Sequence, residues 1–243
     1  MKKSLKIILI VLAALVIGGV VCCFVLCSKG LLGFYHPRKK AQPGQVKVAC
    51  VGDSVTYGFG INGWAKNNYP AQLQELLGEG FCVNNFGYSG RTAQTTGDRP
   101  YSAEKLYKQS MEFEPDIVVF MLGSNDSKAF NWDKENFIKD YKALVETYVN
   151  MHASPTVIVM APPPVFEVGG KVKYNIEKQT IAEEIVPLIK EIAASSGLEC
   201  IDLYAMFDGK SELFSDGCHP TAEGAGLIAN AVLTQISRQM AAK

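Results

Sequence analysis

The sequence predicts an α/β sandwich: a parallel five-stranded sheet covered by helices on both faces. Three observations carry this. Five short runs are apolar almost without interruption and rich in β-branched residues, as strands buried on both faces are. The segments between them repeat apolar residues every three or four positions, the spacing of one helix face. The chain has 243 residues, 48% hydrophobic and 20% charged, which suits one domain with a substantial core and excludes a disordered chain.

Taken in order, strands are expected at Val46–Val51, Phe81–Phe86, Asp116–Leu122, Thr156–Ala161 and Leu198–Leu203. Between the first two, Pro70 opens a helical pattern with Leu73, Leu76 and Leu77, closed by Gly78. Phe137, Tyr141, Leu144 and Tyr148 mark a helix before the fourth strand. Ile181, Ile185, Leu188, Ile189 and Ile192 mark another before the fifth, and Leu227, Ala231 and Val232 a last one. Strand and helix alternate, which requires right-handed crossovers and a single sheet.

Ahead of this body, Ile7–Cys27 forms 21 uncharged residues behind Lys2, Lys3 and Lys6. At about 1.5 Å per residue a helix of that length crosses a hydrocarbon core of roughly 30 Å. The run is not succeeded by an Ala-x-Ala cleavage site, so an uncleaved membrane anchor is expected, with a cleaved signal as the alternative. The basic tip, residues 1–6, places the body (46–243) outside the cytoplasm. Residues 28–45, with two prolines and three glycines, read as a tether whose removal leaves activity intact.

Residues 1–46 hold seven basic groups and no acidic one, and the remaining 197 hold 17 basic against 24 acidic, a net of −7. So acidic a body excludes nucleic acid as a partner, since phosphate binding needs a basic face. Three histidines and no CxxC pair in the body leave no metal site and no cofactor expected. Cys50, Cys82 and Cys200 sit in apolar runs, where a buried thiol is the usual occupant. Gly58-x-Gly60-x-x-Gly63 has the glycine spacing of a dinucleotide turn. The helix begins too late for that reading, and no acidic residue ends the second strand.

Functional groups of a parallel sheet gather at the carboxyl ends of its strands. After the first strand comes Gly52-Asp53-Ser54; after the second, a turn ending Ser89-Gly90. Gly123-Ser124-Asn125-Asp126 comes after the third strand, and Asp216-Gly217-Cys218-His219-Pro220 after the fifth. A serine becomes a nucleophile when a base takes its proton. His36 lies in the tether and His152 at the opposite rim, which leaves His219, with Asp216 placed to orient it.

These blocks, in this order and on these strands, resemble those of the SGNH hydrolases, the GDSL-type esterases and lipases. The resemblance covers residues 46–238 and implies a flavodoxin-like three-layer α/β/α sandwich. It implies Ser54 as nucleophile, His219 as base, Asp216 as its partner, and an oxyanion hole from the N–H groups of Ser54 and Gly90 and the Asn125 amide. Asn131-Trp132 and the Pro162–Phe166 segment are similar to bacterial carbohydrate and sialate O-acetylesterases. That implies O-deacetylation of extracellular glycans. A lysophospholipase or thioesterase is the alternative, and a non-catalytic glycan-binding module a third reading. Asp53, Tyr57, Arg91, Trp132 and Phe166 lie near the rim loops and are candidates for substrate binding, as are Phe59 and Trp64. No obligate protein partner is implied.

Overall fold

A computed structural model describes residues 15–23, 25–31 and 35–241. Its sheet consists of β1 (Val46–Gly52), β2 (Phe81–Gly87), β3 (Ile117–Met121), β4 (Thr156–Ala161) and β5 (Glu199–Asp202). All pairings are parallel and the order is β2-β1-β3-β4-β5. This is the flavodoxin-like order, whose topological switch point lies between β1 and β3. The five strands fall within a residue or two of the expected runs.

Both faces of each central strand are apolar, and successive residues serve opposite cores. Ala49 and Val51 of β1 and Val118 and Phe120 of β3 face one core, with Phe137, Tyr141 and Ile189. Val48, Cys50, Val119 and Met121 face the other, with Tyr69, Leu73, Ile228 and Val232. The helices that bring these residues are α1 (Ser54–Tyr57), α2 (Tyr69–Leu77), α3 (Lys105–Glu112), α4 (Lys134–Val149), α5 (Val186–Ser195) and α6 (Ala222–Ala241). Helices α3, α4 and α5 cover the first face, α2 and α6 the second. Local chemistry sets their starts: the side chains of Asn68, Asp133 and Thr221 accept from the backbone N–H groups of Ala71, Asn136 and Gly224. One glycine is demanded by space. A Cβ on Gly52 would lie 2.5 Å from the Met121 carbonyl oxygen, so only glycine lets β1 and β3 close at the switch point.

The N-terminal expectations fare differently. Residues 15–23 and 25–28 are helical, while 7–14 and 24 of the apolar run lie outside the described residues. No helix among the described residues is long and apolar enough to cross a membrane.

The stretch expected to be a loose tether lies on the domain instead. The carbonyls of Ser28 and Lys29 accept from Gly63 and Gly60 at 2.9 and 3.0 Å, and Tyr57 donates its hydroxyl to the Gly30 carbonyl. The glycine-rich turn that mimics a dinucleotide motif is where this segment docks. His36 is buried against Trp64 and Tyr57, with its Nε2 donating to the Tyr57 carbonyl at 2.8 Å. Arg38 donates to the Asn85 carbonyl, and Lys39 exchanges two hydrogen bonds with the Asn84 side chain. Composition suggested slack because it does not register such contacts.

Candidate active site

The carboxyl ends of β1, β2 and β3 and the loop before α6 bring the rim residues together. Ser54 is the first residue of α1, set there by Asp53, whose carboxylate accepts the Val55 N–H at 3.0 Å. Its Oγ lies 3.0 Å from His219 Nε2. On the far side of the ring, His219 Nδ1 lies 2.8 Å from Asp216 Oδ2. Asp216 Oδ1 accepts the backbone N–H groups of Cys218 and His219 at 2.9 and 2.8 Å. Partial burial alone would raise the Asp216 carboxyl. The bond and charge of His219, with the two backbone donors, instead hold it well below the usual carboxylate range. An ionised aspartate accepting from Nδ1–H leaves Nε2 as the lone-pair nitrogen facing the serine.

Three donors surround the space in front of Ser54. Gly90 has φ +82°, a left-handed conformation natural to glycine, and its N–H meets no partner among the described residues. The Ser54 N–H, at the first position of a helix, has no intrahelical acceptor. The Asn125 amide is engaged by longer bonds, 3.3 Å to Asp53 Oδ2 and 3.2 Å to the Arg91 carbonyl.

Two cavities open from Ser54. One, of about 30 Å³, is lined by Val55, Pro163, Val165, Ile176 and Cys218 with Ser54 and His219. The other, of about 330 Å³, is lined by Phe59, Gly90, Arg99, Lys128, Phe130 and Tyr174 together with Ser54, Asn125 and His219.

Most of the residues proposed for substrate contact lie away from the two cavities. Among the proposed residues, Phe59 lines a cavity, its ring 4.7 Å from that of His219. Asp53 is fully buried beneath the site and holds Val55 and Asn125, and burial pushes its carboxyl up to about 6. Tyr57 and Trp64 stack on each other under the N-terminal segment. Arg91 pairs with Glu104 at 2.5 Å and lies over the Tyr88 ring. Trp132 donates to Glu184 and packs on Phe137, and Phe166 packs on Phe214. Tyr57, Trp64, Arg91, Trp132 and Phe166 line neither cavity. Each is an aromatic or a cation near the rim whose side chain found a partner in the body first.

Tyr174 was not foreseen. It stands at φ +63° in the loop between β4 and α5 and donates to Asp216 Oδ2 at 2.8 Å. Nothing in a Gly-Gly-Lys-Val-Lys-Tyr segment announces a contact 42 residues away. Cys50, Cys82, Cys200 and Cys218 are all free thiols. The described residues hold no cluster of three or more His, Cys, Asp or Glu side chains spaced for a metal ion.

A serine, a histidine and an aspartate joined in this way at the switch point of a parallel sheet make a site of the acyl-transfer class. The chain belongs to the GDSL-like Lipase/Acylhydrolase family, whose profile matches residues 50–227. It is 37% identical over 210 residues to an acetylxylan esterase of Xylanibacter ruminicola, a match covering 79% of this chain. It spans less than half of that relative, 43% of its length. Among solved structures, a carbohydrate acetylesterase family member from Sinorhizobium meliloti superposes with a TM-score of 0.65 at 24% identity, over 81% of this chain and 99% of that one. An aryl esterase of M. smegmatis gives 0.64 at 21%, over 79% and 99%. At these identities the likeness is one of fold.

Proposed function

We propose that the chain is a serine esterase that removes acetyl groups from carbohydrate hydroxyls. The observation that carries this reading is the inequality of the two cavities at Ser54. About 30 Å³ holds roughly two water-sized spheres, room for the methyl of an acetyl group and none for a long acyl chain. The cleft on the other side, ten times larger, takes a bulky alcohol such as a sugar. The name of the Xylanibacter relative, an acetylxylan esterase, points the same way. A lipid esterase needs the opposite allocation of space.

In this reading His219 Nε2 takes the Ser54 proton as Oγ attacks the acetyl carbonyl, and Asp216 stabilises the imidazolium. The N–H groups of Ser54 and Gly90 and the Asn125 amide receive the oxyanion; for Asn125 this means giving up one of its two long bonds. The proton then passes from His219 to the departing sugar oxygen, leaving acetyl-Ser54. Water, deprotonated by the same imidazole, releases acetate and restores the serine. Activity against p-nitrophenyl esters should fall steeply from acetate to octanoate, with acetate released from acetylated xylan. An octanoate preference refutes this reading.

We further propose that Ile7–Cys27 anchors the chain in a membrane, with the domain outside the cytoplasm; secretion after cleavage is the alternative. Leu15, Val16, Ile17, Val20 and Val21 each expose 57–67% of their surface, which suits a lipid surrounding. The protein should resist carbonate extraction and keep its N-terminus by mass spectrometry. A mature start between residues 22 and 45 refutes the anchor.

A further inference from the structure

The larger cleft carries charge that ester hydrolysis does not use. Asp98, Arg99, Lys128 and Phe130 form its far wall. Asp98 is already satisfied: Lys128 Nζ lies 3.5 Å from Oδ2, and the Asn131 amide donates to Oδ1 at 2.9 Å. Lys128 is thereby committed, with its stem buried and its ammonium 5.7 Å above the Phe130 ring.

Arg99 is different. Its backbone is pinned, because its carbonyl accepts the Thr92 N–H at 3.0 Å. Its guanidinium has no carboxylate, carbonyl or ring partner among the described residues. The side chain lies over Gly90, for a Cβ built on that glycine would sit 3.5 Å from Arg99 Nη1. An uncompensated cation thus stands beside an oxyanion donor, in a cleft that reaches Ser54.

The setting gives this charge meaning. The body is net acidic, so its general field repels anions. One unpaired guanidinium at the nucleophile's mouth is a local exception, and a fork of N–H groups matches a planar carboxylate by two parallel hydrogen bonds. Phe130, 64% exposed on the same wall, offers an apolar face for a sugar ring.

We propose that Arg99 receives the carboxylate of a uronic acid unit carried by the alcohol half of the ester. The enzyme then selects acetyl groups on acidic glycans over those on neutral ones. This rests on the deacetylase reading and adds the class of glycan to it.

The test uses the purified full chain with p-nitrophenyl acetate as reporter. Glucuronate should inhibit competitively about tenfold more strongly than glucose, and 0.5 M salt should erase the difference. The decisive quantity is the ratio of kcat/KM on acetylated xylo-oligosaccharides with and without a glucuronate branch. A general loss of activity does not move that ratio. It should favour the branched substrate, fall about tenfold in Arg99→Gln, and be partly kept in Arg99→Lys. Equal inhibition by glucose and glucuronate, or a ratio unchanged in Arg99→Gln, overturns the proposal. Stronger inhibition by glucose 6-phosphate than by glucuronate overturns the carboxylate assignment. Absence of all hydrolysis by the wild type strikes the esterase reading itself and takes this subsite with it.

Discussion

Tyr174 and His219 share one acceptor: each approaches Asp216 Oδ2 at 2.8 Å, so the oxygen that orients the imidazole is itself fixed by a phenol. Burial and the bond to Asp216 together push the Tyr174 hydroxyl well above the ordinary phenol range, keeping it a donor at any working pH. Tyr174→Phe removes that donor and keeps the ring against His219. It should lower kcat about tenfold or more with KM unchanged, the low end of the cost of one charge-assisted hydrogen bond, about 1.5 kcal/mol. In an Asp216→Ala background the same change should cost nothing further. An equal loss in both backgrounds would mean that Tyr174 acts through packing alone.

Ser54→Ala and His219→Ala should each abolish turnover of p-nitrophenyl acetate by factors of roughly 10⁴ to 10⁶, and the double variant should lose hardly more. The 3.0 Å contact between the two side chains makes them one device. Losses that multiply in the double variant would show two independent steps. His152→Ala, at the opposite rim, should retain full activity.

Val165 and Ile176 bound the small cavity, and in the proposed reading they set acyl length. Truncating Ile176 to Ala should raise the butyrate-to-acetate ratio of kcat/KM about tenfold, because each methylene accommodated in an apolar pocket is worth roughly 1–3 kcal/mol. A ratio that stays put would place the acyl chain elsewhere.

A chain beginning at residue 28 should melt like the full protein. One beginning at 46 loses the docked segment, including His36, Arg38 and the Lys39–Asn84 pair. At roughly 1 kcal/mol per net hydrogen bond, the seven bonds described for this segment amount to about 7 kcal/mol, or roughly 14–28 °C in Tm for a domain of this size. Identical melting of the two chains would show that the docked segment adds no stability.

His36 makes that docking pH-sensitive. Burial pushes its imidazole down to about 4, so between about 6.5 and 4 the unfolded chain holds a proton that the folded one refuses. Stability from this group therefore falls on acidification through that window. Buried Asp53 and Asp126, both pushed up to about 6, act with the opposite sign. The measurement is thus the gap in urea midpoint between wild type and His36→Gln. It should be widest near pH 7.5 and narrow toward pH 4.5; a constant gap refutes the assignment.

The strands were legible because a sheet buried on both faces writes itself as unbroken apolar runs, of which Ile117–Met121 is the plainest. Ser54 and Asn125 were legible because residues just past a strand end make up the carboxyl rim of such a sheet, and Asp216 and His219 because their three-residue spacing lies in the loop that runs into the last helix. The cleft was not. Arg91 and Arg99 are both arginines eight residues apart in one loop, and only the fold shows that Glu104 neutralises the first while no carboxylate among the described residues neutralises the second. The π-helical turn at Ile181–Ile185, ahead of α5, was also invisible, since it keeps the apolar spacing of an ordinary helix.

Eleven residues in extended form give a leash of roughly 35 Å, and residues 28–38 are that many. The contacts of Ser28, Lys29, Gly30, His36 and Arg38 spend that length against the domain. On the proposed anchor, with Ile7–Cys27 held in a bilayer, the domain would have almost no radius of action. It would patrol an area rather than a volume and meet polymers only as they pass close to the lipid. For the proposed glycan substrate, the encounter rate would then be set by delivery to that layer and by lateral diffusion, not by the concentration of ester in the surrounding medium.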